Sequence, residues 1–149
     1  MFTLLLAVTF SYYLPPEGKQ IVELIAKARF QIKENISWCA GDNYAGAVIL
    51  ENKTFFICTK TILKGLNANQ YLIETVYHEA VHVVQACKGM KPIGIPLNQM
   101  PLPSTEMVNI DRSMSLTKKK WMRRMEHEAF WLEDKPKQVI YYLKKHCFN

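Results

Sequence analysis

The chain lacks a CxxC pair, an internal repeat and any apolar run long enough to cross a bilayer. Each absence closes a class. Without CxxC spacing, its four cysteines, Cys39, Cys58, Cys87 and Cys147, do not read as a zinc-finger type of structural site. They stand either as buried thiols or as two disulfides with three possible connectivities, the latter expected only in an oxidising compartment. The apolar stretch Phe2 to Phe10 is too short to span a membrane. It also lacks a basic leader and a clear small-residue cleavage site before Pro15. Residues 1–14 are therefore expected to pack on the domain. A cytoplasmic location is favoured over a secreted one in which 1–14 act as a signal.

What is present fits one ordinary domain. The 149 residues are 49% hydrophobic and 21% charged, enough to bury a core without disulfides and too apolar for disorder. The whole chain, 1–149, is read as a single unit. Its net charge of +6 favours acidic partners. The densest basic run is Lys118, Lys119, Lys120, Arg123 and Arg124, either a solvated helix face or a surface that steers an acidic partner such as nucleic acid.

Pro15-Pro16 suits a helix start. From Lys19 to Glu34 the residues Ile21, Leu24, Ile25, Ala28 and Ile32 recur at helical spacing and predict one helix. Ala45 to Leu50 and Thr54 to Thr59, joined by the polar Glu51-Asn52-Lys53, predict a β-hairpin. A helix is expected from Asn67 or Asn69 to about Lys88, with Gly89 ending it. Four prolines between Met90 and Ser104 predict a long loop without regular structure, a candidate wall for a functional cleft. Helices over Lys118 to Glu133, with Thr117 as cap, and over Lys137 to Lys145 complete an α+β pattern.

The informative residues are His78-Glu79-Ala80-Val81-His82, an H-E-x-x-H on the central helix. Residues four apart lie one above the other on a helix, so both imidazoles can reach one metal ion. Glu79, offset by roughly 100°, approaches a water on that metal without being a ligand. Zinc lowers the pKa of such a water and a neighbouring carboxylate takes its proton. The stripe Ile73, Val76, Ala80, Val83, Val84 and Cys87 faces the opposite side, so the histidines turn away from the main core. A third ligand must come from elsewhere, because no HxxGxxH continuation follows His82. Glu126, His127 and Glu128 crowd together on the later helix. The register alone leaves all three open as ligands, with His127 also a possible donor to a reacting oxygen. Tyr77, Tyr141 and Tyr142 are further possible donors, and Glu74 a possible orienter of His78.

The pairing of HEAVH with a downstream Glu126-His127-Glu128-Ala129 resembles the gluzincin metallopeptidases. The E-x-x-A spacing of Glu126 and Ala129 is similar to that of ImmA/IrrE-type and HtpX-type peptidases. The resemblance covers the helix from about Gln70 to Cys87 and the later helix. It implies a zincin-like fold, one Zn²⁺ per chain held by His78, His82 and Glu126, and Glu79 as general base. It also implies a peptide or protein substrate aligned on a short sheet, for which the hairpin is the natural candidate. Two other functions compete: amide hydrolysis on a small molecule, and a non-catalytic zincin-fold binding or regulatory module that contacts nucleic acid through the basic helix.

Overall fold

The computed structural model describes residues 8–41, 43–115 and 119–148. Helix α1 spans Pro16–Lys27, with Pro16 in its first turn and Ile21, Val22, Leu24 and Ile25 buried. It ends seven residues before the sequence pattern predicts. Arg29 takes a left-handed conformation (φ 68°), the Arg29 amide donates to Ala26 O, and the Phe30 amide donates to Ile25 O. This is a Schellman-type stop built without glycine, and so without its usual sequence signal. Gln31–Glu34 then form strand β1. Ile32 matched the helical register by coincidence and lies on that strand.

The expected hairpin is present as β2 (Gly46–Ile49) and β3 (Thr54–Ile57), paired antiparallel. Strand β1 joins β3 in parallel, giving the order β1-β3-β2 among the described residues. All four residues of central β3 are buried, whereas β2 pairs on one side only among the described residues. Phe55 and Ile57 enter the main core. On the other face the segment Ser37–Gly41 covers the sheet, with Trp38 against Phe56 and Cys39 bonded to Cys58.

A short helix, α2 (Thr59–Ile62), leads to the central α3 (Ala68–Cys87). Asn67 and Gly89 bound α3 as expected. Val76, Ala80, Val83 and Val84 are fully buried, and α3 packs on α1, α5, α6 and the sheet. It lies very close to β2: a Cβ at Gly46 would sit 2.8 Å from Phe56 O and 3.2 Å from Thr75 Cγ2. Only glycine permits that approach, which sets the edge strand beside the helix.

The long proline segment contains one 3-10 turn, Leu97–Gln99. It is followed by α4 (Ser104–Met114), a helix the apolar pattern does not announce because Ile110 is its only buried residue. The next helix is shorter than expected: a 3-10 turn, Lys120–Met122, precedes α5 (Arg123–Leu132). Thr117 and Lys118, the expected cap and start, lie outside the described residues. The last helix, α6, runs Pro136–Cys147 and is bonded through Cys147 to Cys87 at the end of α3. At the N-terminal side Val8, Phe10 and Leu14 are buried in the core, while Phe2 to Ala7 lie outside the described residues. No helix among the described residues is long and apolar enough to cross a membrane.

The Cys87–Cys147 bond spans 60 residues of sequence and ties the two helices that sandwich the core. The double variant Cys87→Ser/Cys147→Ser is expected to lose about 2–5 kcal/mol of stability, read by denaturant unfolding. Non-reducing peptide mapping should recover Cys39–Cys58 and Cys87–Cys147 and neither other connectivity.

Candidate metal centre

His78 and His82 stand one turn apart on α3, their rings 5.1 Å between centroids. Helix α5 crosses over them and lowers Glu126 between the two rings. His82 Nε2 lies 2.9 Å from Glu126 Oε1, and His78 Nε2 lies 3.4 Å from Glu126 Oε2. Neighbouring ligand atoms of a tetrahedral site with bonds of about 2.05 Å are separated by about 3.3 Å. The three side chains thus already stand at ligand-to-ligand spacing.

The far nitrogens settle which proton each imidazole carries. His78 Nδ1 is 3.0 Å from Glu133 Oε2, and His82 Nδ1 is 2.8 Å from Gln85 Oε1. The Gln85 amide nitrogen donates to Met125 O and to Glu128 Oε1, so its oxygen must face His82. Each Nδ1 is therefore a donor, and each Nε2 is directed at Glu126. This is the arrangement by which a second layer of partners orients metal-binding histidines. Ser113 does the same for the acid, its hydroxyl 2.9 Å from Glu126 Oε2.

Among the described residues, buried His82 Nε2 has no well-formed hydrogen bond and faces the Glu126 carboxylate at 2.9 Å as a charge partner. Two imidazole nitrogens and a carboxylate are a donor set suited to zinc and several other divalent ions. The residues fit a metal. Their electrostatics agree. Burial alone would push the His78 pKa down, but the hydrogen bonds and charges of Glu126 and Glu133 outweigh it and hold it up at about 10. Burial likewise would push Glu126 up, yet the facing imidazoles of His82 and His78 hold its carboxyl well below the usual range. These side chains together attract one positive charge.

Glu79 is 8% exposed, and its carboxylate lies within 4.8 Å of the ligand atoms of both histidines. The group opens into a cleft of about 560 Å³. Residues Tyr44 to Val48, around edge strand β2, form one wall, and Glu106, Asn109 and Arg112 of α4 form another. Phe130 closes the side of the centre, its ring edge-on to His78 at 4.6 Å.

The other residues singled out by sequence have different work. Glu128 is fully buried and accepts hydrogen bonds from Gln85 and from the amides of Ile93 and Gly94 at 2.7 and 2.8 Å. His127 bonds through Nε2 to Met100 O at 2.8 Å, and the Arg124 guanidinium bonds to Ile95 O. Glu128 and His127 are thus neither metal ligands nor donors in the cleft; they fasten the proline segment to the back of α5. Of the segment 90–104, Met90 borders this cleft, and Pro101, Leu102 and Pro103 line a smaller pocket of about 240 Å³ beside it with Glu106, Phe130 and Glu133; the stretch between is a brace. Tyr77 is core, its hydroxyl facing Gly18, and Tyr141 and Tyr142 pack on each other on α6. Glu74 accepts from Gln70; Glu133 is the orienter of His78. The sequence reading missed Gln85, Ser113 and Glu133. Only spacing could have found some of them: Gln85 follows His82 by three, and Glu133 follows Glu126 by seven, on one face of α5 and its end.

Fold and site together define an α+β protein with a His-Glu-His cluster and a facing glutamate in an open cleft. Residues 10–148 match the family described as "Domain of unknown function (DUF8637)", and the chain belongs to that family. No curated protein and no solved structure matches it.

Elemental analysis after zinc loading is expected to find about one ion per chain, lost in Glu126→Ala and kept in Glu128→Gln. Metal retained in the first variant and lost in the second would reverse the assignment. A pH prediction follows from His78. Its raised pKa means that the metal-free fold is stabilised by this proton fully below about 6.5 and loses that contribution as pH rises through about 10. A metal at Nε2 must displace the proton, so zinc affinity should rise about tenfold per pH unit between roughly pH 6.5 and 9. Competition titration with a chelator of known affinity measures this slope.

Proposed function

We propose that the protein is a zinc-dependent peptidase of the gluzincin type. The observation that carries this reading is the meeting of Glu126 with both Nε2 atoms while Glu79 stands at the same mouth, inside the cleft. A purely structural metal site has no use for a fourth group there, a carboxylate left uncommitted. His78, His82 and Glu126 would hold the ion. Bound zinc supplies a Lewis acid that makes water a nucleophile at neutral pH. Glu79 takes the proton from the attacking water and delivers it to the departing amine. Glu133 and Gln85 keep the imidazoles oriented through the cycle, and Ser113 keeps Glu126 in place.

The edge of β2, unpaired among the described residues, supports a peptide over a small amide. An extended backbone can add to that edge and lie across the cleft, with its side chains alternating between wall and solvent. The nucleic-acid alternative loses support, because Arg123 pairs with Asp111 and Arg124 bonds to Ile95 O. The two disulfides support an oxidising compartment over the cytoplasm.

Glu79→Gln tests the reading. It should keep its zinc and its melting temperature, and lose about 10²–10⁴-fold in kcat on a peptide cleaved by the wild type. Substrates can be found by mass spectrometry of a mixed peptide library. Unchanged cleavage in Glu79→Gln would rule out this base.

A further inference from the structure

Tyr71 borders the cleft from α3, two turns before His78 and on the same side of the helix. Its ring is half-exposed, and its hydroxyl makes no hydrogen bond to any described residue. The backbone beneath it is secured, since its carbonyl accepts from Thr75 Oγ1 at 2.7 Å. Burial, and then the charges of Glu133 and Glu79, push its phenol above its ordinary value. The hydroxyl therefore keeps its proton throughout the neutral range. Glu79, the proposed base, and Glu133, the partner of His78, line the same cleft as Tyr71.

A group that stabilises charge on a substrate oxygen must reach the cleft, have no competing partner and remain a donor at the working pH. The other donors that the sequence singled out each fail one of these conditions. His127 is bonded to Met100 O, Tyr77 is buried in the core, and Tyr141 and Tyr142 lie on α6. Asn109 is engaged with Glu106, and Arg112 and Tyr44 border the cleft from its two other walls, whereas Tyr71 shares the helix face of His78.

We propose that Tyr71 is the catalytic donor to the carbonyl oxygen of the scissile bond. The assignment rests on the peptidase reading above. As the water oxygen bonds to the carbonyl carbon, the carbonyl π pair moves onto oxygen, and the phenol hydrogen bond shortens to meet it. When the C–N bond breaks, that pair returns and the amine leaves with the proton carried by Glu79. Tyr71 lends a hydrogen bond and keeps its own proton throughout.

Tyr71→Phe removes the hydroxyl and leaves the ring. Zinc content and thermal unfolding should match the wild type, kcat should fall roughly 10²–10³-fold, and KM should barely move. A zinc-binding phosphinic peptide, whose tetrahedral oxygens mimic the charged oxygen, should lose affinity by a similar factor in calorimetry. A merely structural tyrosine would leave both quantities unchanged in the Phe variant. A kcat close to wild type, a loss confined to KM, or undiminished phosphinate binding overturns the assignment to Tyr71 alone. A wild-type protein that binds one zinc and cleaves nothing in the library overturns the peptidase reading, and this assignment with it.

Discussion

Everything at the centre depends on how α5 is registered against α3, and one buried polar junction sets that register. Gln85 and Glu128 are both fully buried, one on each helix, and they are bonded to each other. Each uses its remaining capacity: Gln85 on His82 and on Met125 O, Glu128 on the amides of Ile93 and Gly94. A slip of α5 would leave a buried amide and a buried carboxylate without partners, at a cost of several kcal/mol. The register that satisfies them is the one that brings Glu126 to both imidazoles. The His78–His82–Glu126 cluster thus inherits its geometry from a junction outside the cleft.

The proline segment gains its meaning from the same junction. Its composition forbids a helix or a strand, so its backbone amides have few partners of their own. Glu128 supplies them, while Met100 O and Ile95 O are taken by His127 and Arg124. The segment is a strap over the back of α5. On the front, α4 brings Ser113 to Glu126 and walls the cleft opposite β2. Gly46 lets β2 lie against α3, and the Cys39–Cys58 bond anchors the sheet behind it. The result is one cleft that joins two oriented imidazoles, Glu126, Glu79 and the edge strand β2.

Much of the scaffold was legible in the residue pattern. The β2–β3 hairpin announced itself by β-branched and aromatic runs around a polar turn. Asn67 and Gly89 bounded α3, whose apolar stripe turned His78 and His82 away from the core. What escaped had no local signal. Arg29 stops α1 in a conformation normally marked by glycine, which hid β1 and lent Ile32 a false helical register. Helix α4 buries little beyond Ile110, so it carries almost no apolar period.

The sequence by itself determined that two imidazoles and an offset carboxylate share one helical face, because i to i+4 spacing fixes that geometry wherever the helix lies. Only the tertiary structure decided among Glu126, His127 and Glu128. Three consecutive residues point in three directions, and which of them meets the histidines depends on the rotation of α5 about its axis. That rotation is set by partners distant in the chain, Gln85, Ile93, Gly94 and Met100. The same reason explains Ser113 and Glu133: their contacts with Glu126 and His78 arise from packing between helices, which no local period encodes.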